Sequence, residues 1–116
     1  MARILVADDD GVQLQLFQIL LESAGHSVSV ADAPAEMLRQ LEDGPHVLIM
    51  DLRFPDIRVG LSLIRRVHEL SSKIPVIILS GWPEDLYGQP EEAMVSRILV
   101  KPIPAAELIS AVASVV

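Results

Sequence analysis

Short apolar runs alternate with stretches of helical periodicity along this chain. Arg3–Ala7 reads as a strand, followed by a helix over Gly11–Ala24 in which Val12, Leu16, Ile19 and Leu20 fall at i, i+4, i+7 and i+8. That spacing marks one helical face, expected to be the buried one, with Leu14, Phe17 and Leu21 lying off it as a broad apolar strip. Gly25 stops this helix, and His26–Ala31 alternates around Val28 and Val30 as a second strand. Asp32 and Pro34 open a second helix, with Met37, Leu38 and Leu41 inward, which Asp43-Gly44-Pro45 ends. Proline near the first helical turn is a start signal.

Val47–Met50 is a continuous apolar run ending at Asp51, the pattern of a strand covered on both faces. Leu52–Val59 is expected to be a loop and Gly60–Leu70 a helix, with Leu63, Ile64 and Val67 inward. Pro75–Leu79 and Arg97–Val100 supply the last two strands, and Pro104–Val116 the last helix, with Leu108, Ile109, Val112 and Val116 on one face. Trp82–Ser96 is punctuated by Pro83, Gly88 and Pro90. Proline inside a helix costs about 3 kcal/mol, so a loop and a short helix from about Glu91 are expected there.

Strands that alternate with helices imply an α/β fold, a parallel sheet with helices on both faces and right-handed crossovers. In such a sheet, ligands collect beyond the carboxyl ends of the strands. Four of the five expected strands end in reactive groups: Asp8 and Asp9, Asp51, Ser80, and Lys101. Carboxylates brought together from distant segments repel unless a cation joins them. An all-oxygen set favours a hard ion such as Mg2+, and a lysine and a hydroxyl beside it would complete a site for a phosphoryl group. Asp10 differs from its neighbours. It precedes Gly11 and the first helix, where aspartate is a favoured N-cap.

Composition narrows the partners. The 116 residues suffice for one domain, and 51% of them are hydrophobic, enough for a packed core. The formal charge of −7 argues against direct binding to a nucleic-acid backbone, which needs clustered lysine and arginine. Absence of cysteine excludes disulfides and thiol chemistry. His26, His46 and His68 lack metal-ligand spacing and read as surface or strand-end residues. No apolar stretch is long enough to span a bilayer, and Ile4–Ala7 is too short for a signal peptide. A cytoplasmic location without membrane contact is the expectation.

The runs "ILVADDD", "VLIMDLRFPD", "PVIILSG" and "ILVKPI", in this order, resemble the response-regulator receiver domain of two-component signalling over essentially the whole chain. The resemblance implies a doubly wound, flavodoxin-like sheet in the order 2-1-3-4-5, forming a single receiver domain over residues 1–116. It implies that Asp51 is the phosphoacceptor, served by a histidine kinase or a histidine phosphotransfer protein. Asp9, Asp51 and the backbone carbonyl of Arg53 would ligate Mg2+, Asp8 would act through water, Ser80 would hydrogen-bond the phosphoryl group and Lys101 would pair with Asp51. A cis Lys101-Pro102 bond is also implied. The chain would then be a phosphorelay switch with at most slow self-dephosphorylation, not an enzyme. Output is expected through a partner protein or an effector domain beyond this sequence.

The sequence departs from that family in places. Family members usually carry Phe or Tyr at the switch position, which is Ile98 here, and the poor fourth helix falls in the usual output region. Arg53 and Trp82 are bulky for positions flanking the site, and are expected to restrict attacking water. Arg53 could instead pair with the acidic cluster. Two other readings stay open: a pseudo-receiver whose output needs no phosphate, and a haloacid-dehalogenase-type phosphatase with Asp8 as nucleophile and Asp10 as general acid/base.

Overall fold

A computed structural model describes residues 2–71 and 73–116. Five parallel strands, β1 (Arg3–Ala7), β2 (Ser27–Ala31), β3 (Val47–Asp51), β4 (Val76–Ser80) and β5 (Arg97–Val100), form one sheet in the order β2-β1-β3-β4-β5. Helices α1 (Gly11–Ser23), α2 (Pro34–Leu41), α3 (Ile57–Leu70) and α4 (Ala105–Val115) cover both faces. Side chains alternate along each strand, so Ile4 and Val6 join α1 and α4 through Leu14, Phe17, Leu21, Leu108 and Val112. Leu5 and Ala7 face the other way, towards α2 and α3, where Met37, Leu41, Leu63, Ile64 and Val67 are buried. Among the described residues, no helix is long and apolar enough to cross a membrane.

The first helix is turned opposite to its expected orientation. Leu14, Phe17 and Leu21 are buried, whereas Val12, Leu16 and Ile19 are 74%, 48% and 60% exposed and Leu20 is half-buried. Seven of its thirteen residues are apolar and they surround the axis, so periodicity alone offers two faces. Leu14, Phe17 and Leu21 also fit a helical stripe, and they place the one aromatic ring of α1 in the core. The last helix keeps Leu108 and Val112 inward with Ala111, while Ile109 is half-buried and Val116 lies exposed past its end.

The expected loop over Leu52–Val59 is shorter in the fold. Asp56 caps α3 by accepting from the Val59 amide at 3.0 Å, so the helix begins at Ile57. Gly60 then lies inside α3, where a Cβ would overlap the Leu52 carbonyl oxygen. Between β4 and β5 the chain makes two 3-10 turns, Pro83–Asp85 and Pro90–Met94, and no α-helix. The prolines that argued against a helix open both turns.

Candidate functional site

The carboxyl ends of β1 and β3 lie side by side, with Ala7 paired to Met50. One carboxylate oxygen from each of Asp8, Asp9 and Asp51 lies within 4.8 Å of the other two. Asp8 is buried, Asp51 half-buried and Asp9 exposed. Asp8 is oriented by the Asp10 amide, which donates to its Oδ1 at 2.9 Å. Asp10 turns away and caps α1, accepting from the amides of Val12 and Gln13. That leaves it in the structural role its position suggested, and not in the acid/base role that the phosphatase reading requires.

Lys101, just past β5, points its ammonium into the cluster, 3.3 Å from Asp8 Oδ2 and 3.4 Å from Asp51 Oδ1. Its peptide bond to Pro102 is cis, as is that between Phe54 and Pro55. Burial pushes the Asp51 carboxyl above the ordinary carboxylate range, with Asp8 and Asp9 adding to the rise and Lys101 opposing it. Burial likewise pushes Asp8 up, opposed by the Asp10 amide and Lys101. Three carboxylates against one ammonium leave excess negative charge on hard oxygen donors. That donor set fits a small divalent cation, with Asp8, Asp9 and Asp51 as the side chains able to hold it.

Ser80 ends β4 fully buried, and its Oγ accepts the Trp82 amide at 2.9 Å. The hydroxyl proton stays available for donation. Ile98 lies in β5, half-buried against the core of the α2 and α3 face. Arg53 does not enter the acidic cluster. Its Nε donates to Asp85 Oδ2 at 2.9 Å, and its guanidinium lies 3.8 Å from the centre of the Trp82 ring. The cluster's cation is Lys101, which leaves Arg53 free to tie the β3–α3 loop to the first 3-10 turn.

Two acidic residues escaped the sequence reading. Asp85 is the partner of Arg53, and Glu91 is 3% exposed and pairs with Arg65 of α3 at 3.4 Å. Their only sequence signal was a pair of acidic residues after each proline, Glu84-Asp85 after Pro83 and Glu91-Glu92 after Pro90, in a segment too irregular to place.

A family model described as the response regulator receiver domain matches residues 4–113. The chain is 31% identical over 112 residues to the C4-dicarboxylate transport transcriptional regulatory protein DctD of Pseudomonas aeruginosa, covering 95% of this chain and 24% of that protein. It is 31% identical over 118 residues to the sensory/regulatory protein RpfC of Xanthomonas campestris, covering 96% of this chain and 16% of that one. The chain thus spans a quarter or less of the length of these two relatives. A crystal structure of a response regulator receiver domain protein from Clostridium thermocellum superposes with a TM-score of 0.89 at 28% identity, covering 99% of this chain and 94% of the other.

Proposed function

From the premise that this chain belongs to the response regulator receiver domain family, we propose that it forms one receiver domain that accepts a phosphoryl group on Asp51. The observation that carries this reading is the convergence of Asp8, Asp9 and Asp51 under the ammonium of Lys101. An Asp51 carboxylate oxygen attacks the phosphorus of a phosphohistidine. The new O–P bond forms as the N–P bond breaks, and the freed imidazole takes up a proton. The product is an acyl phosphate.

Mg2+ held by Asp9, Asp51 and the Arg53 carbonyl, with Asp8 acting through water, would neutralise charge on the incoming phosphoryl oxygens. The chain's own groups do the rest. Lys101 stands within 3.4 Å of the acceptor oxygen and can follow the negative charge onto the phosphoryl group. Ser80 donates its free proton to a phosphoryl oxygen. Arg53 and Trp82, two residues beyond Asp51 and Ser80, limit the approach of water to the acyl phosphate. Arg53→Ala and Trp82→Ala are each expected to speed dephosphorylation, and unchanged lifetimes would dismiss that role.

The donor is a histidine kinase or a histidine phosphotransfer protein. Val12, Leu16 and Ile19 give α1 an exposed apolar strip. A cavity of about 320 Å³ between α1 and Lys101-Pro102-Ile103 adjoins it. A protein can dock there with its imidazole near Asp51. Output passes to a partner or effector domain, and the charge of −7 favours a protein over a nucleic acid. The location is cytoplasmic, where such kinases phosphorylate their targets.

The test is incubation with acetyl phosphate and Mg2+, read by intact mass. Incorporation of one phosphoryl group, absent in Asp51→Asn, is the expected result. A second reading, the phosphate-independent pseudo-receiver, draws on Ile98 and the two 3-10 turns that replace an α-helix between β4 and β5, and gains if neither acetyl phosphate nor a kinase labels the chain.

A further inference from the structure

We infer that Arg53 is an exchangeable cation: it leaves Asp85 for the phosphoryl oxygens on Asp51 and thereby loosens Trp82 and the first 3-10 turn. This rests on the phosphoacceptor role of Asp51. The Arg53–Asp85 pair is bidirectionally accessible, with side chains 41% and 21% exposed. Pairs in such settings are weak enough to be traded. A phosphoryl dianion offers a guanidinium two parallel charge-assisted bonds, whereas Asp85 receives only one, from Nε.

Reach favours the trade. Arg53 lies two residues beyond Asp51, so their Cα atoms are at most about 7 Å apart, a span that an arginine side chain covers. The move also has consequences at the other end. The described polar side-chain ties from the segment 82–96 to its surroundings are the Trp82 amide on Ser80, Asp85 on Arg53 and Glu91 on Arg65. Withdrawing Arg53 removes one tie and unstacks Trp82 together. The first tie shifts as well if Ser80 turns to the phosphoryl group. Ile98 supplies no aromatic ring to report the state of the site, and this charge exchange supplies a coupling that does not need one.

Trp82 is the only tryptophan of the chain, so its emission reads the stack directly. The experiment titrates beryllofluoride, a phosphoryl mimic, with Mg2+ into wild type, Arg53→Gln and Asp85→Asn, following Trp82 emission. Intact mass after acetyl phosphate treatment runs in parallel. Exchange requires opposite signs. Asp85→Asn should lower the half-saturating beryllofluoride concentration about three- to fivefold, and Arg53→Gln should raise it by a similar factor. A merely structural pair would shift both variants in the same direction. Labelling of Asp51 with unchanged Trp82 emission, or same-sign shifts, overturns the exchange and leaves the phosphoacceptor reading intact. Absence of labelling in wild type sinks that reading and the exchange with it.

Discussion

The two edges of the sheet are built on the same strands and treat polar groups differently. At the carboxyl edge, β1 and β3 run into Asp8, Asp9 and Asp51, three carboxylates with a single lysine among them. At the amino edge, the same strands begin among satisfied groups. His26 Nδ1 accepts the Ala2 amide at 3.1 Å, and His46 Nδ1 accepts the Arg3 amide at 2.9 Å. The Arg3 guanidinium donates to the carbonyls of Asp43 and Gly44 at 2.9 and 2.8 Å. One edge holds an electrostatic debt that a ligand can settle, and the other holds closed hydrogen bonds that anchor the strands. Removing a charge from the carboxyl edge should therefore stabilise the fold, and removing a hydrogen-bond partner from the amino edge should destabilise it.

The largest effect on labelling is expected at Asp51. Asp51→Asn should abolish labelling by acetyl phosphate and, in buffer with a chelator, raise the melting midpoint by about 2–5 °C. The reason is that burial and two neighbouring carboxylates hold the Asp51 carboxyl above its ordinary range, so the ionised group opposes folding at neutral pH. Mg2+ should raise the midpoint of wild type and raise that of the variant less. A variant that melts lower than wild type would reverse the assignment of the carboxyl edge.

Glycines sharpen the contrast. Gly60, near the carboxyl edge, is there for space, because a Cβ would meet the rigid carbonyl of Leu52. Gly44, at the amino edge, has open space around it and a φ of +66°. Gly60→Ala is expected to lose about 2–3 kcal/mol in urea unfolding, as overpacking does, and Gly44→Ala about 1 kcal/mol for its left-handed backbone. Equal losses would show that the loop after β3 yields more easily than the contact suggests.

What the sequence displayed, and what it concealed, follows the same physics. An apolar run that stops at a charged residue is a local signal, so Asp8, Asp9, Asp51 and Lys101 were legible, and the five strands with them. Proline in the segment 82–96 was equally local and announced a broken helix, although the short helix expected from about Glu91 is a 3-10 turn over Pro90–Met94. The buried face of α1 was not legible, since seven apolar residues surround its axis and only the packed sheet selects among them. The start of α3 was not legible, because its cap Asp56 directly follows Pro55 inside a stretch that reads as a loop. Asp85 and Glu91 were hidden for another reason: each takes its role from an arginine distant in sequence, 32 residues away for Asp85.

A smaller effect belongs to the amino edge. His26→Ala removes the acceptor of the Ala2 amide, and Ala2 is 4% exposed. An unpaired buried amide costs about 1 kcal/mol or more, so urea unfolding should shift by that amount. His46→Ala should cost less, because the Arg3 amide is exposed and water can replace the ring. Neither change should alter labelling of Asp51. A loss of labelling in His26→Ala would mean that the two edges are coupled through β1.

The smallest effect is expected at a carboxylate remote from both edges, and it tests whether removing any negative charge stabilises this acidic chain. Glu36 of α2 pairs with Arg39 on the surface, and hydrogen bonds from Arg39 and Gln40 push its carboxyl down from 4.5 to about 2. A depressed carboxylate stabilises the fold above its unfolded value, and that contribution is lost as pH falls from about 4.5 to about 2. Solvent screening keeps such an exposed pair weak. Glu36→Gln should therefore lower the midpoint marginally at neutral pH, and the difference from wild type should fade across that acidic window. If Glu36→Gln instead raises the midpoint as Asp51→Asn does, relief of overall charge explains both results and the carboxyl edge has no special strain.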